Sequence, residues 1–157
     1  MSIQKAKEHL ARFGADGRVL EFEVSSATVE LAAQAVGCAP ARIAKTLSFR
    51  TEEGVILIVA AGDVKVDNPK YKARFGCKAR MLPFEEVEPA IGHAVGGVCP
   101  FGVNEGVKVF LDESLRRFET VFPACGSSNS AVELTIPELE RFSGFQAWVD
   151  VCKGWRE

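Results

Sequence analysis

The segment "RIAKTLSFRTEEGVILIVAAG", residues 42–62, contains the two strands that decide the fold. "TLSF" and "VILIVAAG" are separated by residues 51–54, a connection of hairpin length. The second strand is almost entirely apolar, which predicts that both of its faces are covered. Lys45 interrupts the apolar entry to the first strand. Strand alternation predicts that Thr46 and Ser48 lie on the opposite side from Lys45.

Two interpretations of Lys45 follow from its apolar surroundings. Its stem can lie on apolar surface while its ammonium group reaches water, as is common for lysines in strands. Alternatively, the ammonium lies at the wall of a cleft and holds a phosphate or a carboxylate as a compact point charge. The residues around Lys45 leave both interpretations open.

Outward from this hairpin, short strands and a few helices follow in an irregular order. The predicted helices cover residues 3–13, 29–36, 66–76 and 137–144, with a helical turn from Pro83. The further predicted strands cover residues 18–26, 107–112, 120–126, 131–135 and 147–151. In the first of these, Leu20, Phe22 and Val24 alternate with two glutamates, which predicts a half-buried strand with its apolar side chains inward. This pattern predicts an α+β fold with a mixed, curved, barrel-like β-sheet flanked by helices. The length fits one domain spanning residues 1–157.

Composition narrows the classes of function. A net charge of −2 gives no overall attraction to nucleic acid, so RNA binding would need a local basic patch. No apolar run approaches the roughly 20 residues that span a bilayer, and the N-terminus does not resemble a signal peptide. The five cysteines lack paired spacing, which predicts free thiols and a cytoplasmic location. With only two histidines, we expect no metal site and no cofactor.

A loop rich in glycine and proline, "GHAVGGVCPFG", covers residues 92–102. It lacks the GK[ST] ending of a phosphate-binding P-loop. Gly96 and Gly97 have no Cβ atoms, so a ligand could touch the backbone there, and Pro100 stiffens the loop. A plain surface turn is the alternative.

Two other groups of residues could carry chemistry. Cys99 lies six positions after His93, so a thiol nucleophile with a histidine base is an alternative mechanism. Free cysteines are, however, commonly just small buried apolar residues. The turn at residues 127–130, "SSNS", offers hydrogen-bonding groups from Ser127 and Asn129, although polar turn residues are ordinary.

The order "AKTLSF", "VAAGD", "VGGVCPFG", "FLDESL" and "GSSNSAVEL" resembles the YbaK family. These proteins are free-standing relatives of the editing domain of bacterial prolyl-tRNA synthetase, and the resemblance covers about residues 24–149. It implies a barrel-like mixed sheet wrapped by helices. It also implies hydrolysis of the ester that joins a wrong amino acid to tRNA, with mischarged tRNA as partner and a synthetase as a second candidate partner.

The resemblance also implies roles for individual residues. Lys45 would contact the tRNA end near the ester, with the terminal nucleotide phosphate as its anion. The backbone of the loop containing Gly96, Gly97 and Pro100 would hold the aminoacyl group or the attacking water. The substrate-binding candidates are Thr28, His93, Cys99, Ser127 and Asn129. Ala131 stands where the branch that clears cysteine has an aspartate, so the small amino acid removed stays open.

The helix after "VAAGD" carries the candidates for contact with RNA. Lys70, Lys72 and Arg74 lie in it, and Lys65, Lys78 and Arg80 lie around it. A solvated helix face is the alternative to a patch that binds the acceptor stem. A third interpretation of the whole chain is a non-catalytic domain that binds tRNA or a synthetase.

Overall fold

The computed structural model describes residues 2–155. Its α-helices and strands alternate irregularly along the chain. The α-helices are α1 (Ser2–Ala11), α2 (Val29–Val36), α3 (Asn68–Phe75), α4 (Phe84–Ile91) and α5 (Ile136–Ser143). The strands are β1 (Leu20–Glu21), β2 (Ile43–Thr51), β3 (Gly54–Ala61), β4 (Lys65–Val66), β5 (Lys108–Asp112), β6 (Thr120–Pro123), β7 (Ser130–Ala131), β8 (Leu134–Thr135), β9 (Ala147–Val149) and β10 (Cys152–Lys153). No helix within residues 2–155 is long and apolar enough to cross a membrane.

Six strands form the main sheet, in the order β8-β6-β2-β3-β5-β9. β2 and β3 pair antiparallel along their whole length, whereas β3 pairs parallel with β5, and β5 pairs parallel with β9. Two small antiparallel pairs, β1-β7 and β10-β4, complete the strand pairing. The predicted α+β class and curved mixed sheet are confirmed.

The β2–β3 hairpin lies at the centre of the sheet, as the sequence predicted. Residues 56–61 of β3 are all buried, because β2 and β5 flank this strand and the main core covers it. Thr51 and Gly54 face each other at the turn, where Gly54 adopts a positive φ of 127°. The prediction that both faces of this strand are covered is therefore confirmed.

β2 has a gap on its other side. It pairs parallel with β6 only at Ile43 and Ala44. Further along, the segment around Met81 takes over, because Leu82 N–H donates to the Ser48 carbonyl and Arg50 N–H donates to the carbonyl of Arg80. Between these two contacts one edge of β2 is left open, and the site described below lies there.

Local capping explains where α2, α3 and α5 begin. Thr28 Oγ1 accepts a hydrogen bond from Leu31 N–H at the start of α2, and Asp67 does the same for Lys70 N–H at α3. A capping box between Thr135 and Glu138 starts α5. α2 packs through a small apolar cluster of its own, separate from the main core.

The prediction of a half-buried strand over residues 18–26 was largely wrong. Only Leu20 and Glu21 are in a strand, both are exposed, and their partners are the short strand β7. Val24, expected to point inward, is 62% exposed. The alternation of apolar and charged residues was present, but on its apolar side Leu20 and Val24 are exposed and Phe22 is only partly buried.

Candidate functional site

A pocket of about 380 Å³ opens at the gap beside β2. Its wall is mostly apolar and also includes serine and threonine side chains. Its lining residues come from residues 26–32, 43–48, 81–87, 95–98, 122–124 and 130–131. Lys45 is the only charged residue of the described chain that lines it. The pocket therefore presents one cation in an otherwise neutral cavity.

The Lys45 ammonium group is half-buried at this pocket. It donates a hydrogen bond to the Val64 carbonyl. Burial lowers the pKa of Lys45, while the nearby Cys152 and Asp63 act to raise it. Lys45 therefore lies at the wall of a cleft, as the second interpretation requires, while its binding of an anion stays a prediction.

Thr46 and Ser48 line the same pocket as Lys45, although strand alternation places their side chains on the opposite side of β2. The pocket lies at the open edge of β2 rather than on one face of the sheet, so side chains of both faces border it. The Ser48 carbonyl and the Arg50 N–H face this edge, and by the two-residue repeat of a strand so do the N–H and C=O of Thr46. Thr46 Oγ1 has no hydrogen-bond partner within residues 2–155.

The glycine-rich loop forms another part of the wall through Gly96, which has a positive φ of 96°. Gly97 does not line the pocket; a Cβ atom there would lie 2.6 Å from backbone atoms of Gly126 and Ser127. Its missing side chain thus makes room for the protein's own backbone, rather than for a ligand as the sequence suggested. Pro100 is buried behind the loop and does not line the pocket.

His93 and Cys99 are fully buried, and neither lines the pocket. His93 Nε2 donates to the Phe101 carbonyl at 2.6 Å and lies 3.6 Å from Cys99 Sγ. Burial raises the pKa of the Cys99 thiol to about 12, so it is protonated at neutral pH. These two residues are therefore not placed to touch a ligand in this pocket, and they lie behind the loop.

The other predicted substrate-binding residues differ in their positions. Thr28 lines the pocket, where its hydroxyl group also caps α2. Ser127 and Asn129 do not line it; Ser127 Oγ lies 2.7 Å from Ser130 Oγ, and Asn129 Nδ2 donates to the Phe22 carbonyl. Their neighbour Ser130 reaches the pocket instead.

The basic residues predicted to bind RNA lie in α3, outside the pocket lining. Lys70 Nζ pairs with Asp150 at 3.2 Å and donates to the Cys152 carbonyl. Arg74 lies over the Phe75 and Phe110 rings, and Lys72 is exposed. Of the three, two are therefore already engaged within the protein.

Several pocket residues were not predicted from the sequence, above all Ser26, Thr46, Met81, Phe84 and Val95. Met81 and Phe84 belong to a brief strand-and-turn signal that carried no chemical motif. The available signal was only the presence of these two large apolar residues on either side of Pro83, at the start of a helix.

We expect the protein to lose stability in mild acid because of its two histidines, His9 and His93. Gly102 N–H donates to His9 Nδ1, so His9 carries its proton on Nε2, which donates to the Phe142 carbonyl. Burial is the main cause that lowers the pKa of both His9 and His93. Their stabilising contribution is therefore complete above the ordinary histidine pKa of about 6.5 and is lost as the pH falls below it.

We expect the free energy of unfolding in urea to fall between pH 7.5 and 5.5, by at most about 1.4 kcal/mol per pH unit for each histidine. The double variant His9→Gln/His93→Gln keeps hydrogen-bonding groups but cannot bind the proton, so its curve should be flatter. Equal slopes for the variant and the unmodified protein would contradict this explanation.

Comparison with known proteins agrees with the resemblance seen in the sequence. The family model "Aminoacyl-tRNA editing domain" matches residues 23–142. YwhH of Bacillus subtilis (strain 168), an uncharacterized protein, is 56% identical over 156 residues, 99% of each chain. A proline–tRNA ligase of Thermotoga sp. (strain RQ2) is 32% identical over 90 residues, which cover 57% of this chain and 15% of the ligase.

A solved structure has the same fold over nearly the whole chain. It is the crystal structure of "a putative trans-editing enzyme for prolyl tRNA synthetase", with a TM-score of 0.87, 32% identity and coverage of 98% of both chains. The chain therefore belongs to the aminoacyl-tRNA editing domain family, and its enzyme class is that of the aminoacyl-tRNA hydrolases.

Proposed function

We propose that this protein is a trans-acting deacylase that removes a small, uncharged amino acid from a mischarged tRNA. The observation that carries the proposal is the single ammonium group of Lys45 in an otherwise neutral pocket bordered by the backbone of Gly96. A tRNA end is an anion attached to a small aminoacyl group, so such a pocket matches both parts of it. The similarity to proline–tRNA ligases supports tRNA for proline as the first substrate to test.

The reaction needs positioning more than acid–base chemistry, because an aminoacyl ester is already activated. Water adds to the ester carbonyl, the bond to the ribose oxygen breaks, and that oxygen takes up a proton. In this proposal the Lys45 ammonium binds the terminal nucleotide phosphate. The backbone of Gly96 and the open edge of β2 at Thr46 hold the aminoacyl group or the attacking water. Gly97 and Pro100 fix the loop from behind.

The pocket wall favours a small side chain without charge. Ala32, Ala44, Ala124 and Ala131 line it, and no carboxylate of the described chain does. A cationic side chain would therefore find no partner there, whereas a small apolar side chain can contact these alanines. The alanine side chains of the wall can contact a methyl group, and the Thr28 hydroxyl group can hydrogen-bond to a serine or cysteine side chain. Alanine, serine and cysteine are therefore the candidate amino acids.

A deacylation panel tests this proposal. The protein is incubated with tRNA for proline charged with alanine, serine, cysteine or proline, and with mischarged alanine and threonine tRNAs. We expect rapid loss of at least one small amino acid, while the correct prolyl ester survives. Tight binding of uncharged tRNA without any ester cleavage would instead establish the non-catalytic alternative.

The variant Cys99→Ser is the control for the thiol alternative. Because Cys99 is buried and protonated, we expect the variant to keep kcat/KM within about threefold of the original, whereas an enzyme with a thiol nucleophile would lose nearly all activity.

Lys70, Lys72 and Arg74 stay proposed contacts to the tRNA stem. Lys72 is the first of them to test, because it is exposed and its ammonium group can reach a phosphate without breaking the Lys70–Asp150 pair.

A further inference from the structure

Three large apolar side chains stand exposed at the mouth of the pocket. Phe84 is 76% exposed, Met81 59% and Val95 48%, and all three belong to the pocket lining. We call these three residues the apolar rim. Exposure of an aromatic ring to this degree leaves a large apolar surface in water, and such a surface beside a pocket is typical of a binding site.

The rim is held in a fixed position relative to Lys45. Met81 forms a bridge with Phe49, and Leu82 N–H donates to the Ser48 carbonyl, so the segment before α4 is tied to β2. Phe84 is the first residue of α4. The ring and the ammonium group of Lys45 therefore border the same pocket from elements that are hydrogen-bonded together.

The charges near the rim disfavour a phosphate as its ligand. Glu85 and Glu86 occupy the first turn of α4, next to Phe84, and within residues 2–155 only Glu86 has a basic partner, Arg50 at 2.8 Å. A second anion would be repelled there. A flat, uncharged group would instead gain from contact with the ring, and a nucleobase is such a group.

We propose that the apolar rim binds the 3′-terminal nucleobase of the tRNA, which stacks on Phe84. This inference rests on the proposed function. The ester is carried by the ribose of the terminal nucleotide, so an aminoacyl group inside the pocket leaves the base of that nucleotide at the mouth. There the rim offers the exposed aromatic face. Stacking of a base on an aromatic side chain requires no particular charge at the site.

The first test compares variants of Phe84 on a mischarged tRNA that the panel identifies as a substrate. We expect Phe84→Ala to lower kcat/KM roughly 5- to 100-fold, the effect typical of losing one stacked base. Phe84→Trp should keep the activity. Phe84→Leu should lose activity as Phe84→Ala does, because leucine is apolar but not flat. Val24→Ala is the matched control: Val24 is 62% exposed but lies outside the pocket lining, so its activity should not change.

The second test needs no catalysis. The fluorescence of the Phe84→Trp variant is measured with the trinucleotide CCA and with the same trinucleotide lacking its terminal base, and the signal of the original protein, from Trp148 and Trp155, is subtracted. We expect quenching by CCA and at least a fivefold weaker response without the base. If no tRNA ester is cleaved, the proposed function fails, yet this measurement still decides whether the rim binds the base.

Two results would overturn the inference. One is unchanged kcat/KM for Phe84→Ala on a tRNA whose cleavage requires Lys45, together with equal quenching by the two trinucleotides. The other is a change in oligomeric state of Phe84→Ala in sedimentation with unchanged kcat/KM, which would assign the rim to contact between copies of the chain.

Discussion

Replacement of Lys45 by methionine is expected to abolish deacylation and to leave the fold intact. Methionine fills the same space without the charge, so the pocket loses the one cation that residues 2–155 supply to it, while its walls stay in place. Loss of a charged group that holds the reacting end costs about 100-fold or more in kcat/KM. The free energy of unfolding should change by no more than about 1 kcal/mol, because the ammonium group is desolvated and gives up only one hydrogen bond, to the Val64 carbonyl.

The measurement pairs single-turnover hydrolysis of the preferred mischarged tRNA with urea unfolding of the same protein samples. Lys45→Arg is the matched control, since it keeps the charge but replaces a compact ammonium with a planar group, and it should retain part of the activity. Near-normal turnover by Lys45→Met would remove the main support for the proposed mechanism. Loss of activity accompanied by unfolding would show that Lys45 acts through the structure rather than on the substrate.

The sequence predicted the central hairpin and the helix ends because these depend on local signals. The apolar run of β3 and the turn after Thr51 need no knowledge of distant residues, and Asp67 caps α3 whatever lies around it. The segment at residues 18–26 shows the limit of such signals. Its alternation was real, but a strand also needs a covering neighbour, and that depends on the path of the rest of the chain.

The same limit applies to the site. The sequence singled out Lys45 and Gly96, which both line the pocket, because a lysine among apolar residues and a cluster of glycines are unusual locally; the resemblance to the family then favoured them as site residues. Thr46 could not, since its position at the pocket follows from the end of the β2–β6 pairing at Ala44. His93 and Cys99 lie in the right loop, but their burial is set by the core behind it, which sequence spacing does not reveal.

Substitution of Gly97 in the glycine-rich loop should affect activity as strongly as substitution of Lys45, the proposed catalytic residue. A Cβ atom at Gly97 would lie 2.6 Å from backbone atoms of Gly126 and Ser127, and backbone cannot turn away as a side chain can. We expect Gly97→Ala to lower the free energy of unfolding by about 1–3 kcal/mol, the usual range for overpacking. At this chain length that corresponds to a fall in Tm of roughly 3–10 °C.

Activity should fall further than stability, because displacement of the loop moves Gly96, which borders the pocket. A shift of about 1 Å in a reacting group can cost roughly 100-fold in rate. Gly17→Ala is the control: nothing lies within 4 Å of a Cβ atom there and its φ is not positive, so both Tm and kcat/KM should stay as they are. If Gly97→Ala matched Gly17→Ala in both measurements, the contact between the loop and the turn at Gly126 would have no part in shaping the pocket.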